Sequence, residues 1–390
     1  MTVSNEMEVT RISSPAVCQL ISLVRASLWQ TSVDYQPFID YPPDWDIIGK
    51  LSLQQTVCVL AVTSAMSLPS DIQPPKEWLR QAYSFVERNR RTHHLLDGCV
   101  AEAFRRLKDA GVTPVLLKGQ AYSRHYPQSS LRQCGDIDIY VGESNYYPAY
   151  EAACRFGWES KEKFVPDVKH YGCYLRNVRI ELHRLAGKFP SRSVNSRFQE
   201  WSRRQLLSGL NSTVIGGEEI QLPTPVFDVV FVFMHLYLHF MNSGIGLRHI
   251  CDWVMLLHAH SEVLDRQELK ARLEDFRLLK AWRLFTPIAV EQLGLPETEC
   301  PFYSPQYRKK STKIFAFILK EGNFGKYTSD SCTRRPDGYL SGKLYSFRRH
   351  SNKMLSCLPL DPVTITGCYG NFLFKGVRAT FKDMLNRMNK

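Results

Sequence analysis

One short segment constrains this chain more than any other, because its side chains alternate between polar and apolar. Residues 135–141 read Gly-Asp-Ile-Asp-Ile-Tyr-Val, so a β-strand would place Asp136 and Asp138 on one face and the apolar side chains on the other. Two carboxylates on one face repel each other unless a cation neutralises them. Magnesium is a hard ion that takes carboxylate oxygens as ligands. The segment therefore predicts a strand whose polar face binds Mg²⁺ through Asp136 and Asp138.

A second alternating segment lies downstream, at residues 178–183, with the sequence Val-Arg-Ile-Glu-Leu-His. On a neighbouring strand, Glu181 would provide a third carboxylate and complete a two-metal clamp for in-line displacement at phosphorus. Asp167 and Glu159 are the alternatives for this third position. His183 lies on the same face as Glu181, where it would orient a carboxylate, contact an acceptor or serve as a structural histidine. The predicted metal-binding and catalytic residues are Asp136, Asp138 and Glu181.

Upstream of the first aspartate, a short apolar run ends in Lys118, Gly119 and Gln120. This pattern predicts a buried strand that turns through glycine into a helix, and the first N–H groups of a helix attract phosphate. Gly119 would let the backbone approach a phosphate closely, because it has no side chain to obstruct the contact. Lys118 would add a cation, and Arg132 would neutralise charge on a leaving pyrophosphate. The residues predicted to bind nucleotide are Lys118, Gly119, Gln120 and Arg132.

The secondary-structure pattern divides the chain into three regions. Residues 1–112 show helical spacing, including residues 47–66, and no alternation typical of strands. Residues 113–222 contain the strand-like segments, and helical periodicity returns in residues 223–390. Within the last region, the Gly-, Ser- and Pro-rich residues 322–362 are predicted to be extended. The predicted fold class is α+β (mixed α/β), with a small mixed β-sheet core between an N-terminal helical region and a C-terminal helical domain.

Positive charge is concentrated near the C-terminus. The chain has a net charge of +12, and residues 301–390 contain 17 Lys and Arg against 5 Asp and Glu. A basic segment of this kind attracts polyanions, so an RNA- or DNA-binding protein that uses this segment is an alternative function. A solvated surface is the other interpretation.

Cysteine usage and hydrophobicity favour a cytoplasmic protein with no membrane partner. The eleven cysteines include no CxxC pair, which predicts reduced thiols rather than a disulfide framework or a zinc ribbon. The most apolar stretch, residues 226–241, is short and contains His235 and His239, so it is not predicted to span a membrane. These histidines stand one helical turn apart without the glutamate of a zinc protease, and we expect them to line a cleft or to support helix packing.

Taken together, these motifs resemble the signature of a family of uncharacterised nucleotidyltransferases found in bacteria, within the DNA polymerase beta-like nucleotidyltransferase superfamily. The resemblance rests on Val115-Leu-Leu-Lys-Gly119, Tyr126-Pro127, Arg132, residues 135–141, Ile180-Glu-Leu-His183, His235, Gly244-Ile-Gly-Leu-Arg-His249 and Asp252-Trp253. Lys118-Gly119 stands where the wider superfamily has Gly-Ser, and Gly119 lies 17 residues before Asp136. Helical spacing is also consistent with an ion pair between Arg248 and Asp252, whereas the resemblance implies a role for both residues at the domain interface or in the cleft.

The resemblance implies an enzyme that transfers a nucleoside monophosphate group from a nucleoside triphosphate to an acceptor hydroxyl, with Mg²⁺ as cofactor. It implies that Asp136 and Asp138 are the metal-binding pair, that Glu181 is the third carboxylate and that Gly119 belongs to the nucleotide loop. The acceptor would be a small molecule, a protein side chain or RNA. A non-catalytic nucleotide-binding or antitoxin-like module is the alternative that keeps the same pocket.

Overall fold

A computed structural model of the chain describes residues 14–323 and 338–357, together with separate positions between 362 and 378. Helices surround a four-stranded mixed sheet, and a separate two-stranded hairpin follows that sheet. The predicted α+β class is confirmed. Buried side chains from all three regions form one continuous hydrophobic core, because the apolar faces of helices and sheets are buried only against one another.

Within the described residues, five helices precede the first strand: Pro15–Trp29 (α1), Gln36–Asp40 (α2), Trp45–Gln54 (α3), Cys58–Ala65 (α4) and Lys76–Asp109 (α5). Residues 47–66, which show continuous helical spacing in the sequence, therefore divide between α3 and α4. The break contains Gln55, whose buried side-chain oxygen accepts a hydrogen bond from the backbone N–H of Leu247 at 3.2 Å. The break thus supplies a partner for a free N–H group at the start of a helix far along the chain.

The mixed sheet has the strand order β1-β2-β4-β3, with Val115–Leu116 (β1), Asp136–Tyr140 (β2), His170–Leu175 (β3) and Val178–His183 (β4). Strand β2 pairs in parallel with β4, whereas β1 is antiparallel to β2 and β3 is antiparallel to β4. The apolar side chains of the two central strands, among them Ile139 and Leu182, are buried. This burial specifies the register, in which Asp138 lies directly opposite Glu181.

The other elements lie between the strands or after the sheet. Helix Gln120–Ser123 (α6) follows β1, and helix Gly142–Arg155 (α7) follows β2. A helix and a hairpin that the sequence pattern did not reveal come next: Arg192–Leu207 (α8), Asn211–Ile215 (β5) and Glu218–Leu222 (β6). The later helices in the described part of the chain are Pro225–Asn242 (α9), Leu247–His260 (α10), Arg266–Asp275 (α11), Leu279–Pro287 (α12), Arg308–Glu321 (α13) and Tyr339–Cys357 (α14).

The prediction that residues 322–362 are extended is wrong over α14. Ser351 and Met354 of this helix are buried, and the helix contacts α9. Tertiary packing of this kind outweighs the weak helix propensity of a Gly- and Ser-rich sequence. Residues 324–337 and 358–361 of the same stretch lie outside the described residues.

Helix α9 is a core helix. Its length and composition would allow it to span a membrane, but 72% of this segment is buried inside the protein. Thr224 caps its N-terminus, because the threonine hydroxyl accepts a hydrogen bond from the N–H of Phe227 at 3.3 Å. Phe233 packs against Trp253 of α10 and Trp282 of α12. Helix α9 therefore joins the C-terminal helices into one layer.

Two histidines meet where the segment after α6 packs on α10. The ring centroids of His125 and His260 lie 5.0 Å apart. Burial lowers the pKa of His125 to about 3 and the pKa of His260 to about 4, and the charge of Arg124 acts in the same direction. Both rings are therefore neutral in the folded protein at pH 7, whereas an unfolded histidine titrates near pH ~6.5.

We predict that stability falls as the pH decreases from about 6.5 toward 4, because the unfolded chain then binds protons that the folded chain does not bind. His260→Phe removes one of these groups, so its stability should fall less steeply over that interval. The measurement is the urea midpoint as a function of pH. His94→Phe, at an exposed position of α5, is the control, and an unchanged slope in His260→Phe would contradict the prediction.

Candidate active site

A cavity of about 690 Å³ lies between the polar face of the sheet and helices α9 and α10. Its acidic and basic side chains are four carboxylates, five lysine and arginine cations and four histidines, which are Asp136, Asp138, Glu181 and Asp252; Lys118, Lys169, Arg132, Arg179 and Arg248; and His170, His235, His239 and His249. The three carboxylates that the sequence predicted as metal ligands therefore face one common space.

Asp138 is the most buried of these three carboxylates. Its Oδ1 lies 2.9 Å from Lys118 Nζ and 2.7 Å from His183 Nε2. Burial alone would raise the pKa of Asp138, but the charge of Lys118 and the hydrogen bond from His183 outweigh burial and hold the pKa well below its usual range. Asp138 is consequently ionised, and the ammonium group of Lys118 and the imidazole of His183 stabilise its charge.

Asp136 differs from Asp138 because it is exposed within the cavity. The surrounding walls displace bulk water, which raises the pKa of Asp136, and the charges of Asp138 and Glu181 raise it further. Among the described residues, its carboxylate has no hydrogen-bond or ion-pair partner. The carboxylate of Asp136 is therefore accessible to a ligand.

Glu181 lies across from Asp138 and contacts three basic side chains. Its carboxylate oxygens lie 3.2 Å from Arg179, 3.4 Å from His183 and 3.5 Å from His170. Burial raises the pKa of Glu181, but the hydrogen bond from His183 and the electrostatic attraction of His183 and His170 together outweigh burial and leave the pKa below its usual value. Neither of the two alternatives from the sequence lines the cavity: Asp167 is exposed outside it, and Glu159 pairs with Tyr174 through its backbone.

Gly119 brings the loop after β1 against the start of β2. Its φ of +62° is unfavourable for residues with a side chain, and a Cβ atom here would lie 3.0 Å from the carbonyl oxygen of Asp136. Both features require glycine. The helix that follows, α6, has only four residues, so its dipole is small and provides a weaker attraction for phosphate than the sequence pattern suggested.

Arg132 and Gln120 are both engaged with other parts of the protein. The guanidinium of Arg132 binds the buried carboxylate of Asp252 through two hydrogen bonds, of 2.7 and 2.9 Å. Asp252 thus pairs with Arg132 rather than forming the hydrogen-bonded pair with Arg248 that helical spacing allowed. Gln120 is buried and donates to Asp97 of α5, so its side chain does not line the cavity. These contacts favour a positioning role for both residues over contact with a phosphate.

Lys169 and Arg248 are cations of the cavity that the sequence pattern did not name as nucleotide ligands. Lys169 lies one residue before β3, and its ammonium group has no ion-pair partner among the described residues; burial and then the charge of Lys118 lower its pKa. Arg248 donates from Nη1 to the carbonyl oxygen of Gln133 at 3.0 Å, while its Nε has no partner in the described part of the chain. The position of Lys169 next to a strand of the sheet was the signal available in the sequence.

Three histidines form part of the opposite wall. His235 and His239 of α9 line the cavity, as one of the two expectations from the sequence had it, and His249 of α10 joins them. Burial lowers the pKa of all three, for His239 to about 4. The wall is therefore composed of neutral imidazoles, which accept or donate hydrogen bonds without adding charge.

Carboxylates on two adjacent strands that face several cations across one cavity are typical of enzymes that act on phosphate compounds with divalent ions. A family model described as uncharacterised nucleotidyltransferase matches residues 41–294, a span that includes every residue of the cavity lining. The chain belongs to this family. It is thus an enzyme of the nucleotidyltransferase class, whose substrate is a nucleoside triphosphate. No curated protein and no solved structure matches the chain.

We predict that Asp252→Ala strongly destabilises the protein. The substitution leaves the buried guanidinium of Arg132 without its partner, and breaking a buried ion pair costs roughly 3–5 kcal/mol. Urea unfolding followed by circular dichroism measures the loss. Glu200→Ala, which breaks an exposed pair with Arg204, is the control and should leave the urea midpoint unchanged. Equal urea midpoints for Asp252→Ala and the wild type would show that the Arg132–Asp252 pair does not stabilise the protein.

Proposed function

We propose that the protein transfers a nucleoside monophosphate group from a nucleoside triphosphate to an acceptor hydroxyl, with Mg²⁺ held by Asp136, Asp138 and Glu181. The observation that supports this most strongly is the pairing of β2 with β4, in which Asp138 lies opposite Glu181. Asp136 is exposed on the same face, and all three carboxylates line one cavity. The family match supplies the class of reaction.

The chemistry of the donor set fits Mg²⁺, which prefers carboxylate oxygens and water. Asp136 offers a carboxylate without a partner among the described residues, and Asp138 is ionised. Lys118 and His183 compensate Asp138 from positions within hydrogen-bond distance, where a divalent ion would provide the same compensation. A bound Mg²⁺ would polarise the reacting phosphate and stabilise charge on the attacking and leaving oxygens.

The triphosphate would be bound by the cations of the cavity. Five cationic side chains face four carboxylates, so the lining with one or more bound divalent ions has the excess positive charge that a polyanion requires. Lys169 and Arg248 retain unpaired N–H groups, and Lys118 becomes available once an ion compensates Asp138. Arg132 would act differently, by holding the segment before β2 against α10 through Asp252.

The acceptor hydroxyl would attack the α-phosphorus in line with the leaving pyrophosphate. A new bond forms between the acceptor oxygen and phosphorus while the bond to the pyrophosphate oxygen breaks, and a base takes the hydroxyl proton. The neutral imidazoles of His235 and His239 lie in the wall that would contact the acceptor, and they accept hydrogen bonds. A small molecule, a protein side chain and RNA all present the required hydroxyl.

We extend the proposal to membership of the DNA polymerase beta-like superfamily and to a cytoplasmic location. The order of the Lys-Gly loop, the Asp-x-Asp strand and the Glu181 strand supports the first. The eight cysteines from Cys18 to Cys300 are all free thiols, which supports a reducing compartment. The alternative of nucleic-acid binding through residues 301–390 concerns a segment that lies partly outside the described residues.

The first experiment titrates the protein calorimetrically with ATP, GTP, CTP and UTP, each with and without Mg²⁺, and measures pyrophosphate release. We expect Mg²⁺-dependent binding of at least one nucleotide. Asp136→Asn should reduce that binding at least about tenfold, because charge-assisted contacts contribute about 1.5–3 kcal/mol. Asp136 has no side-chain partner among the described residues, so the variant should keep the wild-type melting temperature.

Asp167→Asn removes an exposed carboxylate outside the cavity and is the matched control. Equal Mg²⁺-dependent affinity in Asp136→Asn and Asp167→Asn would contradict the assignment of the metal site. Binding without pyrophosphate release, in the presence of hydroxyl acceptors of all three classes, would favour the non-catalytic alternative.

A separate prediction concerns how the triphosphate is bound. Lys169→Met keeps the length of the side chain but removes its charge, and we expect a roughly tenfold lower nucleotide affinity with little change in the affinity for Mg²⁺ alone. Lys163→Met, at an exposed position between α7 and β3, is the control and should bind the nucleotide with wild-type affinity. Unchanged affinity in Lys169→Met would exclude this lysine from the nucleotide site.

A further inference from the structure

Two histidines flank Glu181 on the polar face of the sheet. His170 and His183 are directly opposite each other in the antiparallel pair of β3 and β4, and their ring centroids lie 5.0 Å apart. Glu181 Oε2 lies 3.5 Å from His170 Nδ1 and 3.4 Å from His183 Nε2. The candidate ligand atoms of the three residues all lie within 4.8 Å of one another. The strand register therefore brings two imidazoles and one carboxylate to a single point.

These distances match the coordination shell of a small divalent ion. Ligand atoms about 2.1 Å from a tetrahedrally coordinated ion lie roughly 3.4 Å from each other. The two distances from Glu181 Oε2 agree with that value. One ion would consequently contact all three residues after only small side-chain movements.

The surroundings of the two imidazoles also suit metal ligation. His183 Nδ1 lies 3.4 Å from the carbonyl oxygen of Leu185, and a carbonyl at one ring nitrogen leaves the other nitrogen for a metal. That other nitrogen, Nε2, lies 2.7 Å from Asp138 Oδ1, so binding of the metal would replace this contact. His170 Nδ1 is buried and has no hydrogen-bond partner among the described residues. Leaving a buried polar atom unpaired is unfavourable, and ligation to a metal would remove that cost.

We propose that His170, Glu181 and His183 form a zinc site beside the Asp136–Asp138 pair. Imidazole nitrogen suits Zn²⁺, whereas Mg²⁺ prefers oxygen ligands. Two histidines and one glutamate are a ligand set of catalytic zinc sites, because three protein ligands leave a fourth position for water or substrate. The proposed set of Mg²⁺ ligands then narrows to Asp136 and Asp138, because Glu181 holds the Zn²⁺. Only the use of this ion in catalysis rests on the proposed nucleotidyl transfer.

The test is calorimetric titration of the chelator-treated protein with ZnCl₂ and MgCl₂ in the absence of nucleotide. We expect one Zn²⁺ site per chain with an affinity far above that for Mg²⁺. His170→Ala and the more conservative His170→Asn should each lower the Zn²⁺ affinity by at least about tenfold, since they remove one of three protein ligands. His94→Ala, an exposed histidine of α5, is the matched control, and circular dichroism establishes that each variant is folded.

Full Zn²⁺ affinity in both His170 variants would overturn the proposal, and so would a wild type that binds Zn²⁺ no more tightly than Mg²⁺. Asp136→Asn separates this inference from the proposed function. That variant should keep the Zn²⁺ site while losing Mg²⁺-dependent nucleotide binding. If the wild type binds Zn²⁺ but no nucleotide, the result would support the zinc site and would contradict only the proposed nucleotidyl transfer.

Discussion

The parallel pairing of β2 with β4 is the constraint on which the rest of the site depends. It brings Asp138 opposite Glu181, although the two residues are far apart in the chain. A slip of one residue would turn Glu181 to the other face of the sheet and would expose Ile180 and Leu182. The free energy needed to expose these apolar side chains therefore disfavours such a slip and keeps the carboxylates in their positions. The core and the active site are specified by the same alternating pattern.

Negative charge concentrated in a cavity has to be compensated, and the chain compensates it with its own lysine, arginine and histidine side chains. Lys118 and His183 contact Asp138, while Arg179 and His170 contact Glu181. In the described part of the chain, Asp136 is the cavity carboxylate that has no hydrogen-bond or ion-pair partner. The cavity is thus already organised electrostatically by the protein, and a ligand would exchange one set of charge contacts for another rather than assemble the site.

The sequence predicted the local part of this site and left the distant contacts hidden. Alternation is a local property, so β2 and β4 and their carboxylates could be identified from neighbouring residues. The partner of Arg132 could not be identified in this way, because Asp252 lies on a helix 120 positions further along the chain. Arg248, only one helical turn before Asp252, had the spacing of a local ion pair. Lys169 and His170 adjoin or begin β3, and only the register of the hairpin shows that they reach the cavity. Helix α14 was missed because its packing outweighs its composition.

The break between α3 and α4 has a consequence for how the protein can be divided. Gln55 in this break is completely buried and binds the backbone at the start of α10, and the neighbouring Thr56 lines the cavity. The break between these two N-terminal helices therefore contributes Thr56 to the wall of the active site, although none of the cavity carboxylates comes from this region. A fragment that begins at the first strand would lack this part of the wall. The change from helix to strand along the sequence therefore does not separate the residues of the active site, because residues on both sides of it line the same cavity.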